Sequence, residues 1–280
     1  MLLVQGFDHF VVPVNDIVEA EDFYSQVFGG RVVKRNGLNV RSQSLGPHTF
    51  LQIANKRIGV YLQKQERGQV STPRGTPTYS FTTTGGGLTE VIQALKSWKI
   101  KYQGPLANTH PFAASTVFFA DPAGNNFAVY VPAADEADSP ATAQRLTGVG
   151  YLELEAPSLD GSIKFYEQVL GFNLLGRGRD TRTGQAQATL RMASGQYLLL
   201  TETVFGPKGF PMSRLIPGPH LGFYVAPQQW REALAQLDRL GIPNGDRGAE
   251  AKGRTPGGTA GTYMDDPAGY VIQYITEGAE

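Results

Sequence analysis

The sequence predicts an α+β protein of tandem βαβββ modules, four of them arranged in two domains. Three observations carry this. First, the chain repeats itself: "DHFVVPVNDIVEAEDFYSQVFGG" (8–30) is answered by "GYLELEAPSLDGSIKFYEQVLGF" (150–172). Second, the copies keep step, with Phe23 matching Phe165 and Thr78 matching His220 at one offset of 142. Third, each copy ends in a similar phrase, "DPAGNNFAVY" from Asp121 and "DPAGYVIQY" from Asp266, now 145 apart. The three extra residues belong near the Gly-rich "KGRTPGGTAG" (252–261), a natural loop. Duplication accounts for such self-similarity better than chance. The predicted domains are 1–131 and 148–280. The small, acidic, Pro-containing stretch between them reads as a linker over 132–147.

The elements follow from local pattern. "HFVVPV" is a short apolar run, hence a strand. Asp16 and Glu19 have the spacing of a capping box for the helix that follows. Ala20, Phe23, Tyr24, Val27 and Phe28 form an apolar stripe on that helix, and Gly29-Gly30 ends it. Strands are expected around 31–36, 40–44, 48–54 and 58–63. "YSFTTT" opens a second module, whose helix "LTEVIQALKSWKI" turns Val91, Leu95 and Trp98 inward. "STVFFADP" and "NNFAVYV" then form a hairpin turned by Pro122 to Gly124. In the second copy the helices are expected at 158–170 and 228–240, stopped by Gly171 and Gly241.

Composition narrows the function. The 280 residues are 41% hydrophobic, enough for a packed core. Lys+Arg and Asp+Glu are equal at 25 each, which leaves no electrostatic footprint for nucleic acid or an anionic membrane. With no cysteine there is no disulfide, zinc–thiolate site, iron–sulfur cluster or Cys nucleophile. "MLLVQGFDHF" lacks the basic and apolar regions of a signal peptide, and no apolar run is long enough to span a bilayer. The expectation is a cytoplasmic monomer or homodimer that takes a small-molecule ligand.

The repeated phrases, with "HLGFYV" (220–225) and the two DPAG hairpins, resemble the vicinal oxygen chelate superfamily. That family includes glyoxalase I, extradiol dioxygenases, and bleomycin- and fosfomycin-resistance proteins. The resemblance covers nearly the whole chain. It implies curved mixed sheets that form a cup, with helices outside. It also implies a divalent metal in the cup, held by residues on the first and last strands of each module. Carried over, those places fall on His9 and Tyr61, Thr78 and Ala128, Tyr151 and Leu199, and His220 and Gln273. The family's usual pattern has His on the first strands and at least one Glu on a last strand. Here no mapped place holds a carboxylate, and Glu202, three residues past Leu199, faces the other side of its strand.

Two pairings of the modules are open. If each domain closes its own cup, His9 and His220 are apart. If module one pairs with module four, a single cup collects His9, Tyr61, His220 and Gln273. The other cup, with Thr78, Ala128, Tyr151 and Leu199, then cannot hold a metal. The resemblance thus implies His9, His220 and Gln273 as ligands of zinc, iron, manganese or nickel. Tyr61 would donate its phenol to substrate, and Arg254 would bind an anionic substrate group. His110 is expected in an exposed, Pro-flanked loop with no role in activity. Asp121 and Asp266 are expected to be structural, bonding nearby backbone N–H groups.

Two functions fit. One is a metal-dependent enzyme, a lyase, isomerase or extradiol-type dioxygenase, acting on a small oxygenated metabolite. Two His and a Gln are a poor copy of the two-His, one-carboxylate site of an iron oxygenase, which counts against a dioxygenase. The alternative is a metal-free protein that encloses an aromatic or antibiotic-like molecule.

Overall fold

The computed structural model describes residues 4–36, 48–62, 77–133, 145–203, 220–245 and 259–277. Module one runs β1 (Val4–Val14), α1 (Ile17–Phe28), β2 (Arg31–Asn36), β3 (His48–Ile53) and β4 (Lys56–Leu62). Module two runs β5 (Thr78–Thr82), α2 (Gly85–Ser97), β6 (Tyr102–His110), β7 (Ala113–Ala120) and β8 (Asn126–Pro132). Module three runs β9 (Gly148–Ala156), α3 (Leu159–Phe165) with a π-helical turn at Tyr166–Leu170, β10 (Asn173–Arg179), β11 (Ala186–Arg191) and β12 (Tyr197–Glu202). Module four runs β13 (His220–Val225), α4 (Trp230–Arg239), β14 (Thr259–Asp265) and β15 (Val271–Glu277). The strand expected at 40–44, Arg254, and most of the linker lie outside the described residues.

The helix signals act as their chemistry dictates. Asp16 Oδ1 accepts from the backbone N–H groups of Val18 and Glu19, and Gly29 closes α1 in the left-handed region at φ 70°. Ser158 and Gly171 do the same for the helix of module three. α2 begins three residues earlier than its apolar stripe, because Thr84 caps it and Gly85 to Gly87 form its first turn. The DPAG turns are tied by their Asp carboxylates. Asp121 Oδ1 accepts from Asn125 N, and Asp266 Oδ1 accepts from Ala268 N and Tyr270 N. Each also anchors a helix: Tyr24 donates its hydroxyl to Asp121 at 2.5 Å, and Tyr166 donates to Asp266 at 2.9 Å.

Pairing of the modules crosses the duplication. One sheet has the order β14-β15-β13-β1-β4-β3-β2, and the other β10-β11-β12-β9-β5-β8-β7-β6. Module four therefore completes the sheet of module one, and module three that of module two. Both sheets are mixed: β1 runs parallel to β4 and antiparallel to β13, and β9 runs parallel to β12 and antiparallel to β5. Alternation sends one face of each sheet to a common core. Phe10 stacks on Tyr79 there with ring centroids 4.1 Å apart, joining the two sheets, and Phe23, Tyr24 and Phe28 bring α1 onto it. Burying one such ring contributes about 1.5–3 kcal/mol. The opposite faces of the sheets are the two cups.

One expectation changes, and one open alternative closes. His110 does not lie in an exposed loop; it ends β6, is buried, and packs on Phe112 and Tyr151. The flanking proline, Pro111, made this segment read as a loop, but it belongs to the two-residue turn that follows, and β6 runs up to His110 before it. Of the two module pairings left open by the sequence, the crossed one is found, so neither domain closes its own cup. Each cup is shared between the two halves of the chain.

Candidate functional site

The first cup is built on β1, β4, β13 and β15. In the β1–β13 ladder His9 faces Gly222 and Val11 faces His220; in the β13–β15 ladder Gly222 faces Gln273. His9 and Gln273 thus flank a glycine on the same face, with His220 one row away. The two imidazoles meet, Nε2 to Nε2, at 3.0 Å with their rings nearly perpendicular. Both residues are buried, as is Gln273.

The surroundings orient each of these groups. His9 Nδ1 lies 2.6 Å from Asp8 Oδ2. Neighbours on a strand ordinarily point to opposite faces. Here the β1–β13 register shifts between Phe7 and His9, so Asp8 is the extra residue of a bulge and its carboxylate reaches the adjacent ring. A proton on Nδ1 donated to this carboxylate leaves the Nε2 lone pair pointing into the cup. Burial raises the pKa of Asp8. The His9 hydrogen bond and the charges of His9, Lys56 and Arg57 outweigh it and hold the carboxyl below its ordinary range. Gln273 Nε2 donates to the Tyr263 hydroxyl at 2.9 Å, which directs the amide, while its buried Oε1 has no hydrogen-bond partner. The Tyr263 ring also stands edge-on to His220, with centroids 5.4 Å apart.

Tyr61 is buried on β4 opposite Pro13, on the cup face but two rows beyond His9 along β1. It shares the cup without joining the cluster. Among the described residues there is no group of three or more His, Cys, Asp or Glu that could hold a metal. The first cup offers instead two imidazole nitrogens and one amide oxygen. These are compatible ligand types for a borderline divalent ion, and all three are neutral.

The second cup differs. Ala128, Tyr151 and Leu199 lie in an apolar cluster with Phe118, Tyr130 and Ala113. Thr78 stands on the neighbouring strand, paired with Glu153 across β5–β9. Two residues past Tyr151, Glu153 is buried and bonded by Arg182, at 2.7 Å and 2.8 Å, and by Thr201. Arg182 also binds Asp180 and lies over the Phe118 ring, 4.2 Å from its centroid. Burial pushes the Glu153 carboxyl up, only partly countered by Arg182. For Asp180 the burial effect is overcome by hydrogen bonds from Arg182, and its carboxyl stays low. His110 is pushed down to about 4 by burial, with the Arg182 charge adding to it. The imidazole is neutral at pH 7.

Sequence reasoning missed Asp8, Tyr263 and the Glu153–Arg182–Asp180 cluster. Asp8 had no signal because only a bulge brings it to the cup. Glu153 had one: it stands at i+2 from Tyr151 and therefore on the same face.

A family model described as the Glyoxalase/Bleomycin resistance protein/Dioxygenase superfamily matches the chain twice, at residues 6–129 and 148–274. Among solved structures, a putative dioxygenase from Bacillus subtilis superposes with a TM-score of 0.73 at 16% identity, covering 99% of this chain and 86% of that one. Glyoxalase I from Zea mays superposes with a TM-score of 0.64 at 20% identity, covering 96% of this chain and 92% of that one. At such identities the likeness is one of fold.

Proposed function

Given that the chain belongs to the glyoxalase/bleomycin resistance protein/dioxygenase superfamily, we propose that its first cup binds one divalent metal through His9 Nε2, His220 Nε2 and Gln273 Oε1, and takes a small metabolite with adjacent oxygens. The observation that carries this reading is the 3.0 Å approach of two imidazole nitrogens that are 211 positions apart in the chain. An ion with bonds of about 2.0–2.1 Å to each nitrogen spans that gap. The unpartnered Gln273 oxygen supports a third bond, since a buried acceptor without a partner costs about 1–3 kcal/mol.

Bound there, the metal would supply Lewis-acid polarisation of a carbonyl or enediolate oxygen. Three neutral ligands would leave its full double charge to attract anionic oxygens, which favours a chelating hydroxy-carbonyl compound over a monodentate one. The protein's own residues prepare the site. Asp8 sets the His9 tautomer, Tyr263 turns Gln273, and Gly222 makes room between them. Tyr61, on the same face, is positioned by its strand to donate a phenol hydrogen bond to the far end of a ligand. An anion contact from Arg254 belongs to the same proposal and rests on sequence alone.

The test is titration of metal-stripped protein with zinc, nickel, manganese and iron(II), the last under nitrogen, by calorimetry and metal analysis. One ion per chain is expected. His9→Ala and His220→Ala should each weaken binding by more than about 100-fold, beyond the range for losing a supporting hydrogen bond. Absence of binding in the wild-type protein, or retained affinity in both variants, would overturn the reading.

A further inference from the structure

The second cup has lost every mapped metal ligand, yet it is not simply packed shut with hydrocarbon. Two polar atoms lie in it without partners: His110 Nε2 and the Tyr151 hydroxyl. Both side chains are more than nine-tenths buried, at 6% and 1% exposure. They touch, ring edge to ring face, with centroids 5.1 Å apart. Around them the surfaces are aromatic. Phe112 stacks on His110 at 5.2 Å, and Tyr130 lies 5.6 Å from Tyr151. Further out, the partly exposed Phe112 and Tyr197 stack on each other, 4.1 Å apart and 6° from parallel. Phe112 comes from the β6–β7 turn and Tyr197 from the start of β12, so this pair joins modules two and three across the cup. A cleft lined by Phe7, Ser80, Gly150, Gln196 and the two rings of Tyr151 and Tyr197 adjoins it.

Each unpartnered group costs about 1–3 kcal/mol where it stands. Phe in place of Tyr151 would fill the same space without that cost. Leaving a neutral imidazole nitrogen and a phenol together, walled by flat rings, is the arrangement of a ligand pocket: mostly apolar, with a few convergent polar groups. We infer that the second cup is a metal-independent binding site for a small planar aromatic molecule bearing one hydroxyl or amide, which bonds to Tyr151 Oη and His110 Nε2. The phenol can give a hydrogen bond and the imidazole nitrogen can take or give one, so a group that both donates and accepts satisfies the pair. Arg182 is already engaged by Glu153 and Asp180, so among the described residues of this cup its charge is not left to select an anion. A neutral ligand is therefore favoured over a carboxylate. Entry requires the Phe112–Tyr197 pair to part.

Phenol and toluene, nearly equal in size, are the probes, with binding read by ligand-observed NMR in the presence of a chelator. Phenol should bind at millimolar concentration at least about tenfold more tightly than toluene, the equivalent of one net hydrogen bond. Tyr151→Phe should abolish that preference while leaving the protein as stable as the wild type or more so. His110→Phe should reduce the preference independently. His9→Ala should leave it unchanged, so a failed metal site and a failed aromatic site give different results. Equal binding of phenol and toluene, no binding of either, or a phenol preference that survives Tyr151→Phe would overturn the inference.

Discussion

Gly222 stands opposite His9 in the β1–β13 ladder, and the His9 ring occupies the space its side chain would need. A Cβ there would lie 2.4 Å from His9 Cε1 and 2.5 Å from Nδ1, closer than real Cβ contacts allow. The absence of one methyl group is thus what lets the imidazole lie over Gly222 on β13 and meet His220. Gly222→Ala should displace that ring. For the metal site proposed in this cup, the expected result is a 10- to 100-fold loss of affinity, of the order seen when ligand orientation is disturbed, with about 1–3 kcal/mol of lost stability from overpacking. Metal titration and urea unfolding of the same preparation measure both. Unchanged metal affinity would show that ring placement is not controlled here.

Asp266 makes stability depend on pH in a direction opposite to that of most carboxylates. Burial raises its pKa from 3.8 to about 6, against hydrogen bonds from Tyr166 and from the Tyr270, Ala268 and Gly269 backbone that favour the anion. Between those values the folded chain holds a proton that the unfolded chain releases. The stabilising contribution is complete below the unfolded pKa and is lost as pH rises through the folded one. The full swing is on the order of 3 kcal/mol. In Asp266→Asn this dependence should vanish, because the amide oxygen can still accept the backbone bonds. Wild-type stability minus variant stability, followed by urea denaturation from about pH 4 to about pH 7, should therefore fall. A flat difference would contradict it.

Among the described residues Arg182 is the cation that meets both Glu153 and Asp180 in the second cup. Arg182→Met keeps much of the volume over Phe118 and removes the charge. The buried carboxylates then face each other without compensation, and about 3–5 kcal/mol of stability should be lost at pH 7. The loss should shrink in acid, as Glu153 takes up a proton. Thermal unfolding at two pH values tests this, and a loss independent of pH would assign Arg182 a packing role only.

The fold was legible because duplication shows each element twice: Tyr24 and Tyr166, and Gly29 and Gly171, appear in register, and Asp121 and Asp266 follow with a shift of three residues. The exchange of modules between the halves was not encoded in any local pattern. It was accessible only through donor chemistry, since His9 and His220 have ligand partners in one arrangement and not in the other. Their meeting followed from that argument; their supports did not. Asp8 depends on a bulge, which is a tertiary outcome of pairing β1 with a strand more than 200 positions away. The strand ending at His110 was hidden by the neighbouring Pro111, which marks the turn after the strand and not a loop around the histidine. Tyr151 and His110 looked inert because sequence shows residue types and not which hydroxyl lacks a partner.

The crossed sheets impose an order on the chain as it emerges from the ribosome. Once the first four strands of each early module exist, β1 and β5 are both open edges, templates for pairing with any passing strand. β5 waits only for residues 148–156, which come next after the linker. β1 waits for residues 220–225, with the whole of module three still to be made. The aromatic cup is therefore closed early in synthesis, and the histidine cup last of all. Through that interval the longest described strand of the N-terminal half, "VQGFDHFVVPV", is held with one edge unpaired. This is the stretch at which a nascent chain of this design is most exposed to misassociation with its own kind.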